Sequence, residues 1–480
     1  MRRAKIVCTL GPATDDAVMI DRMIAAGMNM ARLNLSHGAR EGHEKTFEMV
    51  RKAAAKADLS VAIVVDLQGP KIRLGKFKNG SHEIIKGAKF TITTEVIEGD
   101  ENISSTTYLG LPGDCKVGDR ILIDDGRVAL EVTSVKAPRI ETIVIEGGTV
   151  SNNKGLNLPG AAVSVPALSE KDEEDLKWAI GMGADFIALS FVRDAADIKR
   201  VHQIMDSAGV RIPVIAKIEK PQAVANLEEI VAAFDAIMVA RGDLGVELPM
   251  EEVPLVQKRC ITLARENAKP VIVATQMLDS MITNSRPTRA EVNDCANAVL
   301  DGADALMLSG ETSVGKFPIE TIEMMARIIA KTEEEALDTV APLRHNPHTT
   351  AGAITKAAAE VGEVVGAKFL VAFTQSGDSA RRMSRLRSPI PMLALTPEIG
   401  TYNRLALSWG VESMLTKIVN HNDEMVMQVD SILIDSKRVN IGDLVLIVAG
   451  SPPGIPGSIN AMRVHKIGDA VGGVAAAYRK

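Results

Sequence analysis

The stretch Val214-Ile215-Ala216-Lys217-Ile218-Glu219 is an apolar run that ends with a cation and a carboxylate two positions apart. Short continuous apolar runs are typical of parallel β-strands that are buried on both faces. Because residues i and i+2 of a strand share a face, Lys217 and Glu219 are predicted to point the same way. Taken alone, the pair is also compatible with a surface ion pair. In a site, the same pair could hold a divalent metal and neutralise an anion that forms during a reaction.

Seven other runs of this kind occur in the first two-thirds of the chain, and helical segments lie between most of them. In chain order, the eight runs are Ile6–Leu10, Met28–Leu33, Val61–Val65, Phe186–Phe191, Val214–Ile218, Ala236–Ala240, Val271–Ala274 and Ala305–Leu308. One intervening helix is predicted to start at Ser169-Glu170-Lys171-Asp172, which has the pattern of a capping box. Eight β/α units predict an α/β fold with a closed (β/α)8 TIM barrel, in which catalytic groups sit at the C-terminal ends of the strands.

The segment from about Pro70 to Pro166 has a different pattern. Apolar and polar residues alternate in Lys89–Thr94 and in Ile121–Val132, and Asp124-Asp125-Gly126-Arg127 supplies an Asp-Gly hairpin signal. Such alternation is typical of antiparallel strands with one buried face. We therefore predict a small antiparallel β domain that is inserted after the third barrel strand.

The α/β pattern returns from about Leu343. Strands are predicted at Phe369–Phe373, Met392–Leu395 and Leu444–Val448, and helices such as Ala353–Val365 alternate with them. The sequence thus predicts three domains: a barrel (residues 1–69 and 167–342), an inserted β domain (70–166) and a C-terminal α/β domain (343–480).

Composition and charge exclude several classes of protein. The chain has 480 residues, of which 46% are hydrophobic and 24% charged, as is ordinary for a globular protein. With 3% aromatic residues and a net charge of −6, neither nucleic acid nor a membrane is an expected partner. No run approaches the roughly 18 apolar residues of a membrane span, and the basic start lacks a signal-peptide core. The four scattered cysteines have no CxxC spacing, so we expect reduced thiols, no zinc and a cytoplasmic location.

Polar side chains follow five of the predicted barrel strands, which places them on one rim. They occur in Arg32-Leu33-Asn34-Leu35-Ser36-His37, at Asp66, at Lys217 and Glu219, in Arg241-Gly242-Asp243 and at Thr275. A single Asp or Thr after a strand is most often a helix cap. Capping does not explain Arg32, Lys217 and Glu219, because these residue types are poor N-caps.

The charges of this rim suit phosphoryl transfer. Glu219 and Asp243 can together hold Mg²⁺, which prefers one or two protein carboxylates together with substrate oxygens. Arg32, Arg73 and Lys217 add positive charge, and phosphoryl transfer depends mainly on positioning and charge neutralisation. The sequence has no GxxxxGK(S/T) motif, so a nucleotide would be bound by another device.

The chain resembles the pyruvate kinase family from Arg3 to about Arg463. The matching stretches, in the family's order, are Lys5-Ile6-Val7-Cys8-Thr9-Leu10-Gly11-Pro12, Arg32-Leu33-Asn34-Leu35-Ser36-His37-Gly38, Asp66-Leu67-Gln68-Gly69-Pro70-Lys71-Ile72-Arg73, Ile215-Ala216-Lys217-Ile218-Glu219, Ala240-Arg241-Gly242-Asp243-Leu244-Gly245 and Ala274-Thr275-Gln276-Met277. The resemblance implies a barrel, an inserted small β-barrel lid, a C-terminal α/β regulatory domain and a homotetramer. It also implies the last step of glycolysis, in which the phosphoryl group of phosphoenolpyruvate moves to ADP and gives pyruvate and ATP.

Carried over position by position, the resemblance implies roles for the rim residues. Arg32 would contact the phosphoryl group of phosphoenolpyruvate, and the Gly242 backbone would contact its carboxylate. Backbone N–H groups that open a helical turn favour an anion, which agrees with that second role. Lys217 would stabilise the transferring phosphoryl group and the enolate left behind. Thr275 would help to deliver a proton to the enolate carbon through water.

The metal and nucleotide sites follow from the same resemblance. Glu219 and Asp243 would hold Mg²⁺ or Mn²⁺ beside the substrate. The residues that would contact ADP or ATP are Asn34, His37, Arg73 and Lys154. Lys154 lies in the loop Ser151-Asn152-Asn153-Lys154-Gly155 of the lid, so closure of the lid could bring it to the phosphates. A loop lysine without this context is most often solvated surface.

A potassium site is implied by Asn34, Ser36, Asp66 and the carbonyl of Leu67. This sequence departs from potassium-dependent members at Lys71, where they carry Glu. The ammonium group of Lys71 could supply the positive charge that K⁺ supplies in those members. Our hypothesis is that K⁺ is not required although its ligands remain.

A candidate effector loop follows the first C-terminal strand. Thr374, Ser376, Gly377 and Ser379, in Thr374-Gln375-Ser376-Gly377-Asp378-Ser379, open a helix in the geometry of a phosphate-binding loop. The loop resembles the effector loop of fructose-1,6-bisphosphate-activated relatives, but Asp378 adds negative charge. The later loop reads Ser451-Pro452-Pro453-Gly454 where those relatives carry a Trp-Arg pair. We therefore expect a sugar phosphate or a nucleotide monophosphate; a helix cap without a ligand stays an equal alternative.

Two other classes of function are compatible with parts of this pattern. An Mg²⁺-dependent lyase or aldolase of oxo acids would share Glu219 and Asp243, but it has no need of a lid with Lys154. A non-catalytic effector-binding protein should have lost Lys217 or Thr275, and both are present. The sequence therefore favours the kinase.

Overall fold

A computed structural model describes residues 2–124, 126–160, 166–343, 346–419, 421–451 and 457–470. Asp125 of the predicted hairpin turn and residues 452–454 of the later C-terminal loop lie outside this range. Within the described ranges, no helix has both the length and the apolar character that a bilayer crossing needs.

Strands and helices are numbered along the chain. The first part of the barrel contains β1 (Lys5–Thr9), α1 (Ala17–Ala26), β2 (Met30–Asn34), α2 (Arg40–Ala57) and β3 (Ala62–Asp66). The inserted segment contains β4 (Ser81–Ile84), β5 (Lys89–Thr93), β6 (Ile103–Ser105), α3 (Leu111–Asp114), β7 (Arg120–Ile123), β8 (Val128–Lys136), β9 (Arg139–Glu146), β10 (Gly148–Ser151) and β11 (Leu156–Asn157).

The remaining elements complete the barrel and form the C-terminal domain. The barrel continues with α4 (Glu170–Met182), β12 (Phe186–Leu189), α5 (Ile198–Ser207), β13 (Val214–Ile218), α6 (Pro221–Ala225), α7 (Leu227–Ala233), β14 (Ala236–Ala240), α8 (Arg241–Glu247), α9 (Val253–Glu266), β15 (Val271–Ala274), α10 (Arg289–Asp301), β16 (Ala305–Leu308), α11 (Gly310–Ser313) and α12 (Pro318–Ala336). The C-terminal part contains α13 (Thr350–Val364), β17 (Leu370–Phe373), α14 (Asp378–Ser384), β18 (Met392–Thr396), α15 (Ile399–Arg404), β19 (Val411–Leu415), α16 (Asn422–Asp435), β20 (Leu444–Gly450) and β21 (Ile459–Lys466). Short 3₁₀ helices occur at Ala195–Asp197, Met250–Glu252, Asp279–Ile282, Leu337–Thr339 and Leu405–Leu407.

The predicted barrel is confirmed. Strands β1–β3 and β12–β16 close into a parallel barrel in the order β1-β16-β15-β14-β13-β12-β3-β2. Each predicted run overlaps one of these strands, and the two agree to within two residues at either end. The fourth run was predicted too long, because β12 ends at Leu189 and Ser190 and Phe191 belong to the loop that follows.

The two faces of β13 explain the direction of its polar residues. Val214, Ala216 and Ile218 belong to the core between the strands and the outer helices. Ile215 belongs to a separate cluster inside the barrel. Lys217 shares the face of Ile215, so it points into the barrel at its C-terminal mouth.

The helix start predicted at Ser169 is also confirmed. The Ser169 side chain accepts a hydrogen bond from the backbone N–H of Asp172, and the Asp172 carboxylate accepts one from the backbone N–H of Ser169. This reciprocal capping box satisfies two N–H groups that a helix start would otherwise leave without partners. Helix α4 therefore begins where the chain re-enters the barrel.

The inserted segment lies between β3 and β12, as predicted. It forms a six-stranded sheet in the order β11-β7-β8-β9-β5-β6 and a two-stranded sheet of β4 and β10, around its own apolar core. The expectation of purely antiparallel strands was wrong in one place, because β5 and β6 pair in parallel. Alternation of apolar residues reports which face is buried and carries no information on strand direction.

The C-terminal sheet has the order β19-β18-β17-β20-β21. Its three central strands were predicted, but β19 and β21 were missed. Both are edge strands with one partly exposed face, so they lack the continuous apolar run that marks β17, β18 and β20. Strand β21 pairs antiparallel with β20, whereas the other pairs are parallel.

Candidate active site

The polar strand ends meet at the C-terminal mouth of the barrel. The register pairs Asn34 with Asp66 across β2 and β3, and Asp66 with Ala188 across β3 and β12. It also pairs Ala240 with Ala274, so the residues after β14 and β15 leave the barrel side by side. The parallel barrel thereby brings polar groups from distant parts of the sequence to one rim.

Lys217 is the centre of this cluster. Its ammonium group is buried, and Nζ lies 2.8 Å from Ser190 Oγ, 2.8 Å from Glu219 Oε1 and 3.4 Å from Asp66 Oδ1. Burial acts to lower the pKa of Lys217, but the carboxylates of Asp66 and Glu219 outweigh it, and the pKa is raised. The ammonium therefore keeps its proton across the physiological range.

Asp66 holds two cations in place. Arg32 Nε donates to Asp66 Oδ2 at 2.7 Å, and Arg32 Nη1 donates to Thr9 Oγ1 at 3.0 Å. Burial acts to raise the pKa of Asp66, but Lys217 and Arg32 exceed this effect and lower it. Asp66 Oδ1 is buried and faces Lys217 Nζ at 3.4 Å, so each carboxylate oxygen of Asp66 is directed at one of the two cations.

The carboxylates expected to bind a divalent metal come from neighbouring strands. Glu219 Oε2 accepts the backbone N–H of Phe191 at 2.8 Å, which fixes the direction of its side chain. Burial raises the pKa of Glu219, Lys217 opposes that increase, and the negative charge of Asp243 adds to it. A divalent cation between Glu219 and Asp243 would relieve their repulsion, so the two residues fit the role. Among the described residues, no cluster of three or more His, Cys, Asp or Glu side chains could hold a metal without other ligands.

Thr275 and Gly242 are joined directly. The backbone N–H of Gly242 donates to Thr275 Oγ1 at 2.7 Å, and that hydroxyl donates to the Ala274 carbonyl at 2.6 Å. Thr275 has a φ of +71°, a left-handed conformation that is rare for a β-branched residue. Arg241 supports this turn, because Nη2 donates to the Thr275 carbonyl at 2.8 Å and the guanidinium is paired with Asp294. Strain of this kind persists only where the surrounding structure enforces it.

Sequence reasoning missed two hydroxyl residues of the cluster. Ser190 accepts from Lys217 and donates to the Leu67 carbonyl at 2.8 Å, so it connects three strand ends. Thr9 supports Arg32 from the end of β1. Both positions follow the same rule as the predicted residues, since Thr9 is the last residue of β1 and Ser190 directly follows β12. Inspection of all eight strand ends would have found them.

Comparison with known proteins identifies the family. A model described as "Pyruvate kinase, barrel domain" matches residues 1–322, and one described as "Pyruvate kinase, alpha/beta domain" matches residues 352–465. The chain belongs to the pyruvate kinase family.

Relatives of this family match the chain over nearly all of its length. It is 55% identical to the pyruvate kinase of Mycobacterium tuberculosis, over 98% of this chain and 99% of the relative. It is also 55% identical to that of Corynebacterium glutamicum, with 98% of both chains covered. The crystal structure of a pyruvate kinase from Cryptosporidium parvum superposes with a TM-score of 0.90 at 34% identity, over 97% of this chain and 96% of the other.

The residues expected to bind the nucleotide are divided between barrel and lid. His37 is exposed on the barrel rim; partial burial lowers its pKa, and the cations Lys71, Arg73 and Arg32 lower it further. Arg73 Nη1 donates to the Asn153 carbonyl at 2.9 Å, within the lid. Lys154 Nζ lies 2.8 Å from Asp124 Oδ1, so it is paired inside the lid and not with the barrel.

The expected potassium ligands lie together at the ends of β2 and β3. Asn34 Oδ1 accepts the backbone N–H of Ser36 at 3.2 Å, and Asn34 pairs with Asp66 in the sheet. The Leu67 carbonyl accepts from Ser190, as described above. Lys71 is exposed and forms no ion pair with another described residue, although its charge acts on His37. The role of Lys71 in place of K⁺ stays a prediction.

The candidate effector loop has its polar groups satisfied mainly within itself. Thr374 Oγ1 accepts the backbone N–H of Gly377 at 2.9 Å, and Gly377 has a φ of +83°. Ser376 is exposed, whereas Thr374 and Ser379 are buried. The negative charge expected at Asp378 is balanced, because Arg382 Nε donates to Asp378 Oδ2 at 2.6 Å. The loop lines a surface cavity together with Thr416, Lys417 and Gly450.

Proposed function

We propose that this protein transfers the phosphoryl group of phosphoenolpyruvate to ADP and so forms pyruvate and ATP. Membership of the pyruvate kinase family supports this reaction. The observation that carries the proposal is the buried Lys217 ammonium, which Asp66, Glu219 and Ser190 hold at the mouth of the barrel. A fixed, protonated cation is suited to charge that develops during phosphoryl transfer.

Arg32 and Lys217 would bind and orient phosphoenolpyruvate. Asp66 anchors both, so neither cation has to reorganise when the substrate enters. When the phosphoryl group leaves, the bond between phosphorus and the enol oxygen breaks and the electron pair stays on that oxygen. Lys217 would then stabilise the enolate by its positive charge and would not donate a proton to it, because the raised pKa of Lys217 makes it a poor proton donor. Thr275 would instead direct a proton to the enolate carbon through water.

Glu219 and Asp243 would hold the divalent metal, Mg²⁺ or Mn²⁺. When bound, such an ion supplies neutralisation of the negative charge on phosphoryl and substrate oxygens. The Phe191 N–H and the Lys217 ammonium keep Glu219 in position for this role. The Gly242 amide, which now donates to Thr275, would turn to the carboxylate of the substrate.

ADP would bind between the barrel rim and the lid, through Asn34, His37, Arg73 and Lys154. For Lys154 to reach a phosphate, it must exchange its partner Asp124 for the ligand. The side chains of this pair are 38% and 19% exposed, and partly exposed ion pairs contribute about 1 kcal/mol or less. Breaking the ion pair of Lys154 and Asp124 therefore costs little free energy, and closure of the lid can move Lys154 from Asp124 to the ligand.

Further properties of the family are part of the proposal. We infer that residues 70–166 act as the lid between the barrel segments 1–69 and 167–342, and that residues 343–480 form the effector domain. Lys71 would replace K⁺ beside Asn34, Ser36, Asp66 and Leu67. A sugar phosphate or nucleotide monophosphate would bind at Thr374, Ser376, Gly377 and Ser379. The assembly would be a cytoplasmic homotetramer.

One assay tests the central reaction. Pyruvate formation from phosphoenolpyruvate and ADP is coupled to NADH oxidation, with and without Mg²⁺, for the wild type and for Lys217→Met. We expect Mg²⁺-dependent turnover that falls by about 10²–10³-fold in the variant, the usual effect of removing one electrostatic stabiliser. Lys331→Met is the control, because Lys331 is an exposed helix residue paired with Glu335. A wild type without turnover, even with phosphorylated effectors, would favour an enolate lyase instead.

A further inference from the structure

A buried carboxylate beside the site has no role in the steps described above. Glu247 is the last residue of α8, the helix that carries Gly242 and Asp243, and its side chain is 2% exposed. Glu247 Oε1 accepts from Lys220 Nζ at 2.6 Å and from Asn157 Nδ2 at 2.9 Å. One carboxylate oxygen thus joins three segments of the chain.

Lys220 connects Glu247 to the candidate metal ligand. It follows Glu219 directly in sequence, and its Nζ lies 5.3 Å from the centroid of the Phe191 ring. The backbone N–H of Phe191 in turn donates to Glu219 Oε2. Glu247, Lys220 and Phe191 therefore form a continuous support for the loop after β13, in which Lys220 neutralises the buried charge.

Asn157 connects Glu247 to the lid. It lies on β11 and pairs with Leu122 of β7, the strand that leads to Asp124. Asp124 is the partner of Lys154, which lies three positions before Asn157 in the same segment. The amide of Asn157 therefore ties to the barrel the part of the lid that carries Lys154.

We propose that Glu247 is a positioning residue that fixes this lid segment to the barrel and so sets the affinity for the nucleoside diphosphate. The inference rests on the proposed function, because it assigns Lys154 to ADP. A hydrogen bond from a neutral amide to a charged, buried carboxylate is stronger than one between neutral groups. It restricts the lid before the nucleotide arrives, and such preorganisation lowers the entropy cost of binding. The side chains assigned to phosphoenolpyruvate, Arg32, Lys217 and Thr275, lie at the ends of barrel strands, so its binding should not depend on this contact.

Asn157→Ala tests the contact without leaving an unpaired buried charge, since the ion pair of Lys220 and Glu247 remains. We expect the KM for ADP to rise about tenfold, the equivalent of one charge-assisted hydrogen bond, while kcat and the KM for phosphoenolpyruvate stay within about twofold. The Kd for Mg²⁺-ADP, measured by titration calorimetry, should rise by the same factor. Thr149→Ala is the control in the lid, because it removes only the exposed bond from Thr149 to Glu83.

A double-mutant cycle with Glu247→Gln separates positioning from general destabilisation. If Glu247 acts on ADP through Asn157, adding Asn157→Ala to Glu247→Gln should raise the KM for ADP by far less than tenfold. Independent effects that multiply, or a KM and Kd for ADP within twofold of wild type in Asn157→Ala, would overturn the inference and leave the proposed function intact. A wild type that is inactive with phosphoenolpyruvate and ADP would overturn both.

Discussion

The mouth of the barrel and the candidate effector loop both begin where a parallel strand ends, yet they differ in what holds them together. At the barrel mouth, the buried charge of Asp66 at the end of β3 and those of Lys217 and Glu219 at the end of β13 neutralise one another. In the loop after β17, Thr374 and Gly377 are hydrogen-bonded to each other, and Asp378 is neutralised by Arg382 of the same helix. Buried ion pairs between distant strand ends restrict the chemistry that a site can perform. A loop whose polar groups are hydrogen-bonded within the loop does not indicate which ligand, if any, it binds.

The difference also has an energetic side. Burying charges is costly even when they are paired, and replacement of such a pair by apolar residues is often neutral or stabilising. A cluster like that around Lys217 is therefore poorly explained by stability and well explained by function. The candidate effector loop carries no comparable cost, because Ser376 is exposed and its neighbours form hydrogen bonds within the loop. Three substitutions test this contrast.

The largest effect is expected for Asp66→Asn. The variant loses the carboxylate that orients Arg32 and Lys217, so kcat/KM for phosphoenolpyruvate should fall by about 10²–10³-fold. Loss of one partner from a buried ion pair should also lower the free energy of unfolding by about 3–5 kcal/mol. Asp175→Asn is a matched control, because Asp175 is likewise buried and paired with Arg40 and Lys171 but lies outside the site. Activity of Asp66→Asn within tenfold of wild type would remove the distinction between the two regions.

An intermediate effect is expected for Lys71→Glu. The wild type should turn over when K⁺ is replaced by an inert cation, and the variant should require K⁺. The pKa of His37 should rise in the variant, because partial burial lowers it first and Lys71 is the foremost of the cations that lower it further. The assay with and without K⁺ and an NMR titration of His37 measure both outcomes, with Lys76→Glu in the lid as the control. A wild type whose activity falls to background without K⁺ would contradict the assignment.

The smallest effect on basal activity is expected for Ser376→Glu. A carboxylate at this exposed position should repel a phosphate, so activation by sugar phosphates and nucleotide monophosphates should disappear while unstimulated turnover stays within about twofold. Titration of each effector against initial rate measures the loss, and Ser431→Glu, an exposed residue of α16, serves as the control. An unchanged response would place the effector elsewhere and leave the loop as a helix cap.

The sequence predicted the barrel because its strands are buried on both faces and therefore read as continuous apolar runs. The same pattern placed Lys217 and Glu219 on one face, since alternation is a property of the strand alone. It did not predict that Ser190 links Lys217 to Leu67, because that link depends on where the loop after β12 turns. The pairing of Lys154 with Asp124 likewise depends on how two lid strands pack. The edge strands β19 and β21 were not predicted, because they are partly exposed to water and therefore lack a continuous apolar run.

The order of strands in the barrel has a consequence for synthesis. One edge of β1 pairs with β2, but its other edge can pair only after β16, which ends at Leu308, has been synthesised. The lid sheets, by contrast, pair only strands between Ser81 and Asn157, so they can complete their hydrogen bonds while five barrel strands have yet to be translated. Contacts between residues far apart in sequence form slowly. We expect the growing chain to carry a folded lid next to three barrel strands whose apolar surface is still exposed. Chaperones that recognise exposed apolar strands should bind the chain during that interval.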